Sequence, residues 1–211
     1  MKIAICGATG ATGKHVLNLA LEAGHDVRVS ARTPSKIERE HARLAVIKGD
    51  ATDAKHLGEV FEGCEAVVSC LGNGTFFDQR KPTTFYTDTA RAILEAMDTA
   101  GATARRLLAI TSSGVEDDPT APWFYRKVVK PQLKTYENMT AMEKLVEGSD
   151  KGWTIVRPSW LRPGDATKKY RVEDRKNPAK GYKISVGDVA HFIVKELTDP
   201  QWDRKHPALA Y

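Results

Sequence analysis

Three glycines follow one another at three-residue intervals near the start of the chain, in the stretch GATGATG. Gly7, Gly10 and Gly13 come directly after the short apolar run KIAIC. The first turn of a helix leaves main-chain N–H groups unpaired and carries partial positive charge, so a strand, a glycine turn and a helix can together hold a phosphate. We expect Gly7 to make the turn, Gly10 to admit a pyrophosphate and Gly13 to let the helix lie close to the sheet.

This arrangement predicts a dinucleotide site, with a purely structural turn as the alternative. Thr9 and Thr12 can add hydroxyl donors, and the site includes Ala11 at the start of the predicted helix. The type of dinucleotide depends on the end of the next strand, where an acidic residue would bind the ribose 2′-hydroxyl of NAD(H).

Basic residues follow the second predicted strand, and no acidic residue occurs before Glu38. Arg32 and Lys36 lie one helical turn apart if a helix starts near Pro34. A guanidinium can bind a 2′-phosphate through two hydrogen bonds. The pattern therefore favours NADP(H) over NAD(H), unless both residues are ordinary surface bases.

Further candidate contacts lie where later strands end, because open α/β sheets bind ligands at the carboxyl ends of their strands. Asp50 can accept a hydrogen bond from an adenine amino group, or it can instead cap the following helix. Leu71 and Gly72 end the fourth strand, where a small residue lets the main chain pass beside a ribose. Thr111 and Ser112 end the fifth.

Apolar runs and helical periods alternate about six times along the chain. The predicted strands are residues 2–6, 26–30, 43–50, 65–72, 105–112, 152–158 and 181–185, and the predicted helices are 11–23, 53–63, 84–102, 123–134, 136–148 and 186–199. Pro131 complicates the helix over 123–134. The alternation predicts an α/β fold, a Rossmann-like doubly wound parallel sheet with a small C-terminal lobe on the substrate side. We expect residues 1–211 to form one NAD(P)-binding domain, with 113–135 and 158–185 covering the substrate.

Composition indicates a globular protein: 41% of the 211 residues are hydrophobic and 28% are charged. No apolar run reaches the length of a membrane helix, and no signal peptide is evident, so we expect a cytoplasmic protein with no membrane partner. Cys6 and Cys70 lie in predicted strands and are interpreted as small buried apolar residues. No cysteine or histidine spacing suggests a metal site.

The net charge of +5 is concentrated in one segment. Residues 162–183 contain eight basic and three acidic side chains, which accounts for the whole excess. Such a segment is either a solvated loop or an attractor of an anionic cofactor or substrate. Nucleic acid is not expected as a partner, because no nucleic-acid-binding motif accompanies the charge.

Segments along nearly the whole chain resemble those of one protein family. They are KIAICGATGATGKHV, VRVSARTPSKI, VIKGDATD, AVVSCLG, LLAITSSGV, WTIVRP and ISVGDVAHFIVKEL, in that order. The chain resembles the atypical short-chain dehydrogenase/reductases, and within them the NAD(P)H-binding (NmrA-like) group that includes the flavin reductase also known as biliverdin-IXβ reductase. The motifs are specific for the fold and the cofactor and less specific for the substrate.

The resemblance implies the phosphate contacts described above and adds Ala51, beside Asp50, to the adenine contact. It also implies that Ser112 lies beside the nicotinamide and that Pro158 lines the same pocket. The chain departs from the family in two respects. Trp160 falls where the flavin reductase has a histidine, and no tyrosine is followed four residues later by a lysine.

The missing tyrosine and lysine pair bears on the reaction. Reduction of a ketone needs a proton at the developing alkoxide, and general acid catalysis of this kind contributes about 10²- to 10⁴-fold. Acceptors without a tightly coupled proton are therefore favoured, namely flavins, quinones and conjugated tetrapyrroles. We expect Ser112 to position the acceptor or relay a proton, with Ser113 as a substitute; the alternative is a hydroxyl that only bonds the main chain.

Aromatic residues are candidates for stacking on a planar acceptor, although such residues also pack in cores. They are Trp123, Phe124, Tyr125 and Trp160. Arg157 can hold a carboxylate, but we expect it to pair with Asp188 or Glu143.

Three functions remain open at this point. The first is an NADPH-dependent reductase of a small planar acceptor, and the second is a non-catalytic NADP(H)-sensing regulator of NmrA type. The third is an isomerase or epimerase that retains its cofactor. The sequence leaves the oligomeric state open.

Overall fold

The computed structural model describes residues 1–72, 80–99, 103–117 and 123–211. The strands are β1 (Lys2–Cys6), β2 (Asp26–Ala31), β3 (Leu44–Lys48), β4 (Ala66–Ser69), β5 (Arg106–Ile110), β6 (Gly152–Pro158), β7 (Trp160–Arg162), β8 (Arg171–Asp174), β9 (Lys183–Ser185) and β10 (Pro207–Ala210). The helices are α1 (Ala11–Glu22), α2 (Ala54–Phe61), α3 (Phe85–Asp98), α4 (Thr135–Glu147) and α5 (Val186–Thr198). None of the helices in these ranges is long and apolar enough to cross a membrane.

Eight strands form one sheet in the order β3-β2-β1-β4-β5-β6-β10-β8. All neighbouring pairs are parallel except β10 with β8, which is antiparallel. The chain starts in the middle of the sheet, adds β2 and β3 on one side and then returns to place β4 on the other. The carboxyl ends of β1 and β4 therefore flank a topological switch point, where ligands of such sheets bind.

Helices cover both faces of this sheet. Ile3 and Ile5 of β1 lie in a core with α1 and α5, whereas Ala4 and Cys6 lie in a second core with α2, α3 and α4. Because both faces of β1 are buried, its sequence is continuously apolar instead of alternating. The predicted Rossmann-like α/β fold is confirmed.

Short elements late in the chain differ from the prediction. The segment between the predicted strands 152–158 and 181–185 was expected to be a loop, but it contains β7 and β8, and β8 pairs with β10 at the edge of the sheet. The sequence did not predict β8 and β10, because the mostly exposed β8 shows no alternation of apolar and polar residues and β10 has only four residues. The helix expected over 123–134 is instead a π-helical turn at Tyr125–Val129 and a 3₁₀ turn at Lys130–Gln132, because Pro131 supplies no N–H to an α-helix.

Candidate nucleotide-binding and acceptor site

The glycine turn connects β1 to α1 in the geometry that its spacing predicts. Gly7 has a φ of +87°, and a Cβ there would lie 2.7 Å from the carbonyl oxygen of Cys70. A Cβ on Gly13 would lie 2.1 Å from the carbonyl oxygen of Gly7, so only glycine lets α1 approach β1 this closely. A Cβ on Gly10 would lie 3.3 Å from the same oxygen, a much milder contact.

The N-terminus of α1 is open to an anion. Gly10 is its N-cap and offers no side-chain oxygen to the first turn, which contains no acidic residue. In the described part of the chain, Lys14 is the first helix residue whose N–H is paired, with the carbonyl oxygen of Gly10. The N–H groups of Ala11, Thr12 and Gly13 therefore have no partner among the described residues, and they fit a pyrophosphate.

Two exposed cations lie beyond the carboxyl end of β2. Arg32 precedes a 3₁₀ turn at Pro34–Lys36, and Lys36 is the last residue of that turn; neither forms a salt bridge with a described residue. The last polar residue of β2 is Ser30, whose hydroxyl lies 2.9 Å from Nε2 of His56. No carboxylate occupies the position where NAD(H)-specific proteins place one.

Asp50 lies at the end of β3 and does not cap the following helix. Its Oδ1 accepts hydrogen bonds from the N–H of Thr52 at 2.9 Å and from its hydroxyl at 2.8 Å. These bonds lower the pKa of Asp50, and the charge of Arg32 adds a smaller effect. Asp53 is the cap of α2. The helix-capping alternative for Asp50 is thus excluded, and its Oδ2 accepts no hydrogen bond from the described residues.

The end of β4 lies beside the glycine turn. The N–H of Cys70 donates to the carbonyl oxygen of Cys6 at 2.8 Å, which holds the two strand ends together. Leu71 is half-buried and Gly72 is exposed, with no atom within 4 Å of a Cβ built on Gly72. Residues 73–79, which follow, lie outside the described ranges.

The end of β5 carries three hydroxyl groups with different partners. Thr111 is buried and donates to Oε1 of Glu143 at 2.7 Å. Ser112 is half-buried, and its Oγ accepts from the N–H of Gly114 at 3.1 Å. Because one lone pair of Ser112 is used in this way, its proton remains available to another acceptor. Ser113 Oγ is bound by the amide of Asn177 at 3.1 Å, a contact that the sequence did not reveal.

Arg157 anchors the end of β6 and is fully engaged. Its Nε and Nη2 bond the two oxygens of Glu143 at 3.1 and 2.6 Å, and its Nη1 bonds Glu116 at 2.6 Å. Burial opposes the charge, but the two carboxylates raise the pKa of Arg157 above its usual value. The expected pairing with Glu143 is confirmed, whereas Asp188 bonds other groups. Pro158 follows in the buried end of β6, beside Leu209 of β10.

The aromatic residues near these strand ends are mostly exposed. Trp123 and Trp160 are 72% and 73% exposed, so the core-packing alternative is excluded for both. Tyr125 is half-buried, and its hydroxyl lies 3.1 Å from that of Tyr136. Burial, and then the neighbouring Tyr136, raise the pKa of Tyr125. Residues 118–122 of the predicted cover lie outside the described ranges.

Among the described residues, no group of three or more His, Cys, Asp or Glu side chains could hold a metal ion. A cleft of about 380 Å³ lies within the predicted cover, between β7, β9 and residues 163–167, with Arg162 and Lys183 in its wall. This cleft is formed by the basic segment and not by the glycine turn.

A doubly wound sheet with a glycine turn beside its switch point defines a nucleotide-binding protein of the Rossmann class. The sequence profile of the NAD(P)H-binding family matches residues 7–200. The chain belongs to this family, and the prediction of a nicotinamide dinucleotide as ligand is confirmed at that level.

Similar proteins include enzymes of more than one type. Reductase pytE from Aspergillus terreus is 28% identical in an alignment 242 positions long, which covers 92% of this chain and 90% of that protein. The uncharacterised sugar epimerase YhfK from Bacillus subtilis 168 is 25% identical in an alignment 214 positions long, which covers 97% of this chain and 92% of that protein. Among solved structures, ChuY, an anaerobillin reductase from Escherichia coli O157:H7, has a TM-score of 0.78 at 22% identity over 100% of this chain and 97% of its own. That last likeness supports the fold.

Proposed function

We propose that this protein is an NADPH-dependent reductase that passes hydride to a planar acceptor of flavin, quinone or tetrapyrrole type. The observation that carries the proposal is the open first turn of α1, at the same sheet edge as the half-buried Ser112. A bound nicotinamide dinucleotide supplies the hydride. The relationship to Reductase pytE supports the reaction class.

The cofactor-binding residues are assigned from the strand ends. The main-chain N–H groups of Ala11, Thr12 and Gly13 hold the pyrophosphate. Gly7 and Thr9 shape the turn, and Gly10 lets the pyrophosphate approach. Arg32 and Lys36 hold the 2′-phosphate, since both are exposed cations without a salt bridge to a described residue. Asp50 and Ala51 contact the adenine, and Leu71 and Gly72 pass beside the ribose. Thr111 and Pro158 shape the nicotinamide end through their main chain, because both side chains are buried.

Ser112 and the exposed aromatic residues then serve the acceptor. Ser112 Oγ accepts from Gly114, which leaves its proton free to hydrogen-bond an acceptor atom as negative charge develops there. Trp123 and Trp160 offer exposed rings for stacking on a planar molecule. No tyrosine and lysine pair supplies a coupled proton, so acceptors that tolerate delayed protonation are favoured.

A non-catalytic NADP(H)-sensing role is the second candidate. The same absent pair favours it, and the exposed edge-to-face pair of Trp123 and Phe124 offers a surface for a protein partner. One experiment separates the two candidates. The protein is mixed with NADPH and each of FMN, FAD, menadione and biliverdin, and the nicotinamide absorbance is followed. Turnover with at least one acceptor supports the reductase; tight NADPH binding without any turnover supports the sensor.

Ser112→Ala tests the acceptor role. We expect kcat to fall about 10- to 100-fold, at the lower end of general acid effects, while the Kd for NADPH changes less than about twofold. The melting temperature of the variant controls for the lost hydrogen bond to Gly114. Unchanged turnover in a folded variant would remove Ser112 from the site.

Arg32→Glu tests the choice of cofactor. We expect the Kd for NADPH to rise by about 100-fold and that for NADH by less than about threefold, because only NADPH carries the 2′-phosphate. Arg105→Glu is the matched control, since Arg105 is an exposed arginine before the start of β5, at the opposite edge of the sheet. Equal losses for both cofactors in Arg32→Glu would contradict the 2′-phosphate assignment.

A further inference from the structure

The basic segment that follows β7 returns to the end of β5. Its residue Asn177 lies three residues after β8, and its Nδ2 donates to Ser113 Oγ at 3.1 Å. The two residues are 64 positions apart in the sequence. An amide side chain is therefore held next to Ser113, the neighbour of the Ser112 that the proposed function places at the acceptor.

The main chain before Asn177 is fixed by buried groups. The N–H of Arg175 donates to the carbonyl oxygen of His206 at 2.8 Å, and Nη1 of the buried Arg157 lies 3.5 Å from the carbonyl oxygen of Arg175. Arg175 itself has a φ of +65°, a left-handed conformation that turns the chain out of β8. Pro178, directly after Asn177, is buried. These contacts hold the amide in place without any ligand.

One end of this amide is buried without a hydrogen-bond partner. Asn177 Oδ1 has no partner among the described residues, although its Nδ2 is bonded. Ser159 Oγ, one residue beyond β6, is likewise buried and unpaired in the described part of the chain. Buried polar groups are nearly always paired, so an unpaired one beside a candidate site points to a ligand atom as its partner.

We propose that Asn177 determines acceptor specificity by accepting a hydrogen bond from a lactam or imide N–H of the acceptor. This inference rests on the proposed reductase function and narrows its substrate class. An acceptor with an N–H beside a carbonyl, such as an isoalloxazine, pairs with the free amide oxygen. A quinone has no such donor and leaves that oxygen unpaired. Because a buried polar group without a partner is costly, the site discriminates strongly against a ligand that lacks the N–H.

The test compares lumiflavin with 3-methyllumiflavin, which lacks only the imide N–H, and uses menadione as a third acceptor. In the unmodified protein we expect kcat/KM for lumiflavin to exceed that for 3-methyllumiflavin by about 10-fold, the value of one hydrogen bond. Asn177→Ala should abolish this preference and leave menadione reduction and the Kd for NADPH within about twofold. Asn177→Asp, which keeps an accepting oxygen, should restore most of the preference. Asn18→Ala, at an exposed position of α1, is the control.

Two results would overturn the inference. The first is an equal loss of kcat/KM for all three acceptors in Asn177→Ala, which would mean that the amide only supports the fold. The second is a higher Kd for NADPH in that variant, which would mean that the amide contacts the cofactor. Binding of lumiflavin, followed by its fluorescence in the presence of NADP⁺, tests the contact without turnover. No NADPH consumption by the unmodified protein would contradict the reductase function alone, whereas equal lumiflavin affinity of the unmodified protein and Asn177→Ala would contradict the inference.

Discussion

Two glycines of the phosphate turn have different physical tasks, although both fit one motif. Gly13 is needed by the fold, because a Cβ there would overlap the main chain of Gly7 at 2.1 Å. Gly10 has φ −77° and ψ 167°, which any residue can adopt, and the nearest atom to its Cβ would be 3.3 Å away. Its glycine is therefore explained best by a ligand that must approach the helix end.

This difference gives a prediction. Gly10→Ala should change the free energy of unfolding by less than about 1 kcal/mol while raising the Kd for NADPH at least about 10-fold. Gly13→Ala should destabilise the protein by about 3 kcal/mol, because neither main-chain segment can move easily. Urea denaturation and a fluorescence titration measure the two effects. An unchanged Kd for NADPH in Gly10→Ala would contradict the placement of the pyrophosphate beside Gly10.

Sequence reasoning at the residue scale succeeded where a residue type has one dominant use. Glycine spacing after a strand predicted the turn, and the arginine of VRP was expected to pair with Asp188 or Glu143, of which Glu143 is the partner. It failed for Asn177, whose role depends on a contact 64 residues away. Such a contact leaves no local periodicity, and asparagine beside proline indicates only a turn.

At the scale of elements, α5 begins in a buried hydrogen-bond network. The carboxylate of Asp188 accepts from the hydroxyls of Thr167 and Tyr211, both at 2.7 Å, and from the N–H of Lys168 at 2.7 Å. Ser185 caps the helix by accepting from the N–H of Asp188 at 3.0 Å. Burial opposes the charge, but the hydrogen bonds lower the pKa of Asp188. The network connects α5 to the basic segment and to β10.

Substitutions in this network should therefore loosen α5. Asp188→Asn should cost about 2 kcal/mol of stability, because an amide cannot accept all of these bonds, and Tyr211→Phe should cost about 1 kcal/mol. Urea denaturation measures both, and Thr198→Ala at the exposed end of α5 is the control. A cost for Asp188→Asn no larger than that of the control would show that the network does not stabilise the helix.

Elements with a clear local pattern could be predicted from the sequence, and three short strands without one could not. The apolar runs of β1 to β6 and the helical periods of α1 to α5 gave positions that agree with the structure within a few residues, and the short β9 was also predicted. Strands β7, β8 and β10 have three or four residues each and are stabilised by partners distant in sequence. For such strands tertiary pairing decides, and local propensity carries little information.

At the scale of the whole molecule, three histidines connect stability to pH. The pKa values of His25, His191 and His206 are lowered, and burial is the largest cause for each. The histidines of the unfolded chain have pKa values of about 6.5, so the unfolded chain binds more protons than the folded protein below neutral pH. The stability contributed by the neutral rings is fully present above about pH 6.5, the unfolded value, and is lost as the pH falls from there through the lower pKa values of the folded protein.

We accordingly expect the urea midpoint to fall between pH 7.5 and pH 5.5. In His191→Gln the fall should be smaller, because a glutamine cannot titrate yet can still hydrogen-bond the Tyr170 hydroxyl, which lies 2.9 Å from Nδ1 of His191. His15→Gln, a half-buried position on α1 outside this group of three, is the control. A midpoint that rises on acidification would contradict the sign of the shifts.

The proposed function requires that the open amides of α1 bind the pyrophosphate of NADPH. Isothermal titration of the purified protein with NADPH and with NADH, in parallel with Gly10→Ala, tests it most directly. We expect micromolar or tighter NADPH binding with one site per chain, weaker NADH binding, and a marked loss of NADPH affinity in the variant. Absence of binding for both dinucleotides, or equal NADPH affinity in the protein and the variant, would contradict it.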